Sequence, residues 1–117
     1  MSEHIDLVYL NHVLEAIEKI EKTTKGLSRD SILKDDNLID ATIRRLEIIG
    51  EAVKNVSNQT KELYKNIEWK KISGFRDILI HGYFKVNLDI VLRAINEDIP
   101  LLKSQISEIK KDLEKKK

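Results

Sequence analysis

Cysteine is absent from the 117-residue chain, which excludes disulfides, thiolate metal sites and cysteine nucleophiles and points to a cytoplasmic setting. Proline occurs once and glycine four times, so few positions force a helix to stop. An excess of one charge is missing too. Lys and Arg number 21 against 20 Asp and Glu, a formal net charge of +1, so binding a polyanion by bulk charge is excluded and any nucleic-acid contact must be a local patch. Apolar runs are too short for a membrane span or a signal-peptide core. No Gly-rich phosphate loop is present, so the chain is not expected to bind ATP by itself.

What is present is helical periodicity. Hydrophobic residues make up 41% and charged residues 35%, enough apolar surface for one buried core in a single domain spanning 1–117. Ile5, Val8/Tyr9, His12/Val13, Ala16/Ile17 and Ile20 form a stripe predicting a helix from about Glu3 to Lys22, with Ser2 as cap and Thr23 to Gly26 as its end. A short helix is expected within Ser28 to Lys34. A second long helix, capped by Asp36 or Asn37 and reaching about Asn58, carries Ile39, Thr42/Ile43, Leu46, Ile49/Gly50, Val53 and Val56. Gly50 in its middle costs roughly 1 kcal/mol against Ala, which close helix–helix approach would offset. After the polar linker Ser57 to Thr60, a third helix with Trp69, Ile72, Phe75, Leu79 and Ile80 is predicted to end near His81-Gly82. Asn87 caps the last helix, whose stripe runs from Leu88 to Leu113 and which Pro100 should kink or divide. No segment alternates with period two for long enough to argue for a sheet. The expected fold is all-α, an antiparallel bundle of four main helices plus a short one.

Chemistry concentrates in Ser73 to Phe84. Asp77 and His81 stand four apart, so on a continuous helix they share a face and the carboxylate can orient the imidazole. Arg76 adds a fixed cation with bidentate donors, and Tyr83 a phenol just beyond Gly82. That set suits phosphodiester chemistry, with arginine neutralising developing charge and histidine moving protons. From spacing alone, a capped helix end with a surface ion pair is the more frequent explanation. A single histidine also cannot easily act as both base and acid in one step, a difficulty that two-fold pairing of two copies would remove.

The run Arg76-Asp77-Ile78-Leu79-Ile80-His81-Gly82-Tyr83 resembles the R-x4-H-x-Y motif of the HEPN superfamily in its HepT-like branch. The likeness covers nearly the whole chain: Arg44 to Ala52 resembles the branch's second long helix, Trp69 falls where the branch usually has Trp, and Asp98 to Leu102 matches its last helix. The resemblance implies an all-α homodimer with the motif lining a cleft between subunits. It implies a metal-independent endoribonuclease that is the toxin of a type VII-like toxin–antitoxin pair, needing no cofactor of its own. It further implies a minimal nucleotidyltransferase as antitoxin partner, which uses ATP to place AMP on Tyr83. On that likeness Arg76 binds the scissile phosphate and His81 transfers protons. The residue after the motif arginine is frequently Asn in the family; here it is Asp77, a polar residue that keeps an orienting capacity but repels RNA phosphate. A non-catalytic adaptor or substrate-binding subunit of a nucleotidyltransferase complex is the alternative.

Lys70 and Lys71 give the approach to the motif a local positive charge and are candidate RNA contacts, although solubilising lysines are common on helix faces. Trp69 could stack a base, but its place beside Ile72 reads as core. Asp40, Arg44, Glu47 and Glu51 form a charged stripe, read as a surface ladder of ion pairs. His4 and His12 lack a third ligand in sight, so His12 reads as a core-edge histidine rather than a metal ligand.

Overall fold

A computed structural model describes the backbone of residues 2–75, 80–81 and 85–115, and the side chains of 4–75 and 87–115. The chain forms helices α1 (Ser2–Thr24), α2 (Arg29–Leu33), α3 (Asp36–Lys54), α4 (Asn58–Leu63) and α5 (Trp69–Ser73). Two short strands follow, β1 (Ile80–His81) and β2 (Lys85–Val86), and then α6 (Leu88–Arg93), a π-helical segment (Ala94–Asp98) and α7 (Ile99–Lys115). Among the described residues the architecture is therefore helical, apart from one antiparallel ladder pairing Ile80 with Val86 and His81 with Lys85. Three long rods carry it, α1, α3 and the run from α6 through α7. None of the described helices is long and apolar enough to cross a membrane.

Local chemistry explains where the elements begin and stop. Gly26, at φ +75°, supplies the left-handed residue after α1. The Ser28 hydroxyl accepts from the Ser31 N–H at 3.1 Å and starts α2. Asp35, one residue before the predicted cap, starts α3 by accepting from the Leu38 N–H at 3.0 Å. Ser57, predicted as linker, instead caps a new helix, so Asn58 to Thr60 are helical and α3 ends at Lys54. Asn87 caps α6 as expected, accepting from the Ile90 N–H at 3.2 Å. Pro100 sits at the second position of α7, directly after the π segment. Proline has no N–H to return to the preceding turn, and the chain answers by widening that turn, with the Ile99 N–H reaching back to the Ala94 carbonyl.

The core lies between the three rods. All the predicted α3 residues are buried, from Ile39 through Thr42, Ile43, Leu46, Ile49, Gly50 and Val53 to Val56. On α1 the buried side differs from the predicted stripe: Leu7, Leu10, Val13, Ala16, Ile17 and Ile20 face inward, whereas Ile5 and Val8 are about half exposed, at 50% and 44%. α1 is apolar on two sides, and packing against α3 and α7 selects one. Within the same buried side sits Asp6, 1% exposed. Its carboxylate accepts from the Ser57 N–H at 2.8 Å, the Ser57 hydroxyl at 2.7 Å and the Thr60 hydroxyl at 2.5 Å. It thus ties the first helix to the start of α4, where the free N–H groups favour an anion.

The third predicted helix is the main departure. It is described over Trp69–Ser73, the Gly74 N–H turns back to the Lys70 carbonyl, and Phe75 is again helical. Ile80 and His81, expected at the end of that helix, have strand backbone. Strands of two residues leave no period-two signature to read.

Candidate functional site

Of the expected site residues, Arg76, Asp77 and Tyr83 lie outside the described residues, and His81 is described by its backbone only. Because His81 lies in β1, the helical four-residue spacing that would set Asp77 under its ring does not extend to it. What the structure does define is the platform that leads into the motif.

That platform is α5 with Phe75. Trp69 and Ile72 are buried, and Phe75 is 2% exposed in the main core. The indole N–H of Trp69 donates to the Tyr64 carbonyl at 3.0 Å, so this residue serves packing, as its place beside Ile72 predicted. The Tyr64 hydroxyl in turn donates to Asp112 Oδ2 of α7 at 2.7 Å. Partial burial, and then the Asp112 carboxylate, push the Tyr64 hydroxyl up to about 12. On the opposite side, α5 ends against Gly50 of α3. A Cβ built on Gly50 would stand 3.1 Å from both the Ile72 and the Ser73 carbonyl oxygens. The missing side chain is what lets the end of α5 lie on α3, which bears out the close approach expected from a mid-helix glycine.

Lys70 and Lys71, the candidate RNA contacts, differ in setting. Both are exposed, but Lys71 Nζ reaches Asp98 Oδ1 at 3.3 Å and Glu68 Oε2 at 3.7 Å. Lys71 is thereby tied to the π segment, whereas Lys70 enters no ion pair among the described residues.

Beside Gly50 opens a groove of about 540 Å3, bounded by Tyr9 and His12 of α1, by Arg44, Glu47, Ile48, Glu51 and Lys54 of α3 with Asn55 just after it, and by Ser73 at the end of α5. His12 is exposed rather than at the core edge, and its ring meets Tyr9 edge to face, with centroids 6.1 Å apart and planes at 89°. Arg44 pairs with Glu47 at 3.8 Å, one rung of the predicted ladder. Tyr9 packs against the main core, as its stripe predicts, and also borders this groove, where the charged stripe of α3 forms a wall. The available signal was that the offsets 44, 47, 48, 51, 54 and 55 define one helix side immediately beside Gly50. Among the described residues no group of three or more His, Asp or Glu could hold a metal ion.

Comparison with known proteins places the chain in a family. A family model described as "Ribonuclease HepT-like" matches residues 13–109. A Methanocaldococcus jannaschii protein named "Gamma-glutamylcyclotransferase and putative RNase" is 46% identical over 110 residues, covering 94% of this chain and 50% of that protein. The chain thus spans half the length of that relative. A Caldanaerobacter subterraneus protein named "Putative RNase" is 45% identical over 101 residues, 86% of this chain and 90% of its own. The "Probable ribonuclease HepT" of Thermococcus cleftensis is 42% identical over 103 residues, 88% of this chain and 94% of its own. No solved structure matches the chain.

Proposed function

We propose, since this chain belongs to the HepT-like ribonuclease family, that it is the RNA-cleaving toxin of a toxin–antitoxin pair of the type VII kind. The observation that carries the reading is the complete Arg76, His81, Tyr83 set, standing within the residues that match the family and directly after the α5 platform. It acts as a homodimer, in which two copies of the motif share one cleft, and it needs no metal. One His81 takes the 2′-OH proton, and the freed oxygen attacks the adjacent phosphorus. His81 of the partner subunit gives a proton to the departing 5′-oxygen, so the proton count balances and a 2′,3′-cyclic phosphate remains. Arg76 holds the phosphate and stabilises its added negative charge. DNA lacks the nucleophile and is spared. AMP placed on Tyr83 by a nucleotidyltransferase partner adds a bulky anion beside the cleft and silences it by sterics and like charge.

Asp77 favours a second reading. A carboxylate one residue from the phosphate-binding arginine opposes RNA, and a net charge of +1 adds little attraction, as a binding subunit of a nucleotidyltransferase complex would tolerate. A denaturing-gel assay on cellular RNA in excess EDTA separates the two, comparing the chain unmodified at Tyr83 with His81→Ala. Cyclic-phosphate fragments from the parent and none from the variant are expected; equal background from both folded proteins would leave the adaptor.

A further inference from the structure

The geometry points to a guanine-reading subsite in the groove between α1, α3 and the end of α5, a proposal that takes RNA as the substrate from the reading above. The groove's 540 Å3 lies within the range of sites that enclose a small planar group. Its charges argue against a phosphate track. Arg44 and Lys54 are matched by Glu47 and Glu51, so the lining offers a polyanion no net attraction. A neutral base with its own donors and acceptors suits that lining, and the Tyr9–His12 ring pair supplies a wall on which a base can stack.

Position ties the groove to cleavage. Ser73 lines it, and Arg76 follows three residues later, so their Cα atoms are separated by at most about 11 Å of extended chain. A strand whose phosphate lies at Arg76 can therefore lay a neighbouring base in the groove.

The base follows from Glu51. This residue is exposed on the groove wall and enters no ion pair among the described residues. A carboxylate only accepts hydrogen bonds, and its two oxygens are best met by two adjacent donors. Guanine presents that pair, N1–H and N2–H, on its Watson–Crick edge, whereas each other base presents a donor beside an acceptor. Glu51 is thus the specificity-determining residue, with Tyr9 and His12 as the stacking wall.

The test needs no catalysis. His81→Ala protein is titrated into fluorescein-labelled uridine hexamers carrying one central guanine, adenine or cytosine, and anisotropy reads the affinity at fixed salt. Guanine should bind about tenfold more tightly than the others, and Glu51→Gln in the same background should level the three, since its amide N–H2 opposes the guanine donors. Glu51 is a solvent-facing helix residue, and thermal melting checks that the variant is folded. Equal affinity for all three hexamers would overturn the proposal, as would a guanine preference that survives Glu51→Gln. Loss of the preference together with dissociation of a dimer on size exclusion would also overturn it, assigning the groove to a second copy of the chain. Because binding is read apart from cutting, a Glu51-dependent preference in a chain that fails the gel assay would support the subsite while removing the ribonuclease reading.

Discussion

Replacing Gly50 by alanine sets two known effects against each other. In an unconstrained helix interior the change is stabilising by about 1 kcal/mol, because alanine has the higher helix propensity. Here the new Cβ would stand 3.1 Å from two carbonyl oxygens, those of Ile72 and Ser73. Both are backbone atoms at the end of a helix anchored by Trp69, Ile72 and Phe75, so neither can turn aside as a side-chain tip would. Relief requires α5 to move off α3 by a few tenths of an ångström, and overpacking of this kind costs about 1 to 3 kcal/mol. The balance is a net loss of about 1 kcal/mol, or a melting point lower by about 4 °C for a domain of this size. Urea denaturation followed by far-UV circular dichroism gives the number, and hydrogen exchange at residues 72–75 shows whether the loosening is local. A Gly50→Ala protein more stable than its parent by about 1 kcal/mol would refute the close approach of α5.

Two further outcomes rest on separate contacts. Asp6→Asn places an amide donor against the hydroxyl and N–H donors of Ser57 and Thr60 in a buried site. It should destabilise the chain by about 2 to 3 kcal/mol in urea titration, and a change below 0.5 kcal/mol would contradict the assigned contacts. For Tyr64, the folded chain raises the hydroxyl from 10.0 to about 12, so folding favours the protonated form. That contribution is whole below pH 10 and is lost as pH rises through about 12. The stability gap between parent and Tyr64→Phe should therefore be constant up to pH 10 and narrow above it; a gap that widens with pH would reverse the assignment.

How much of this was legible in the sequence depended on whether a helix offered one apolar side or two. α3 has one, and its stripe from Ile39 to Val56, with Gly50 as the point of close approach, was readable without coordinates. α1 has two, and periodicity alone could not choose between Ile5/Val8 and Leu7/Leu10; the partners decided. The apolar pattern also ran on to Val56, which hid the end of α3 at Lys54 and the new start at Ser57. Asp6 was illegible for another reason, since its partners lie 51 and 54 residues away. The motif was legible as letters, through its resemblance to a family. Its arrangement was not, because His81 lies in a strand too short to announce itself.

The π segment before Pro100 also sets the angular phase of the last rod. At about 100° per residue, a regular helix would bring Leu92 into line with Ile99, seven positions on, and leave Val91 some 80° away. One wide turn absorbs an extra residue and shifts that phase by about 100°. Val91 then lines up with Ile99, and the two share the main core, while Leu92 is rotated out to join Ile32 and Leu38 in a second, smaller cluster. The irregular turn thus lets one helix serve two cores, and the seating of α2 on the bundle depends on it.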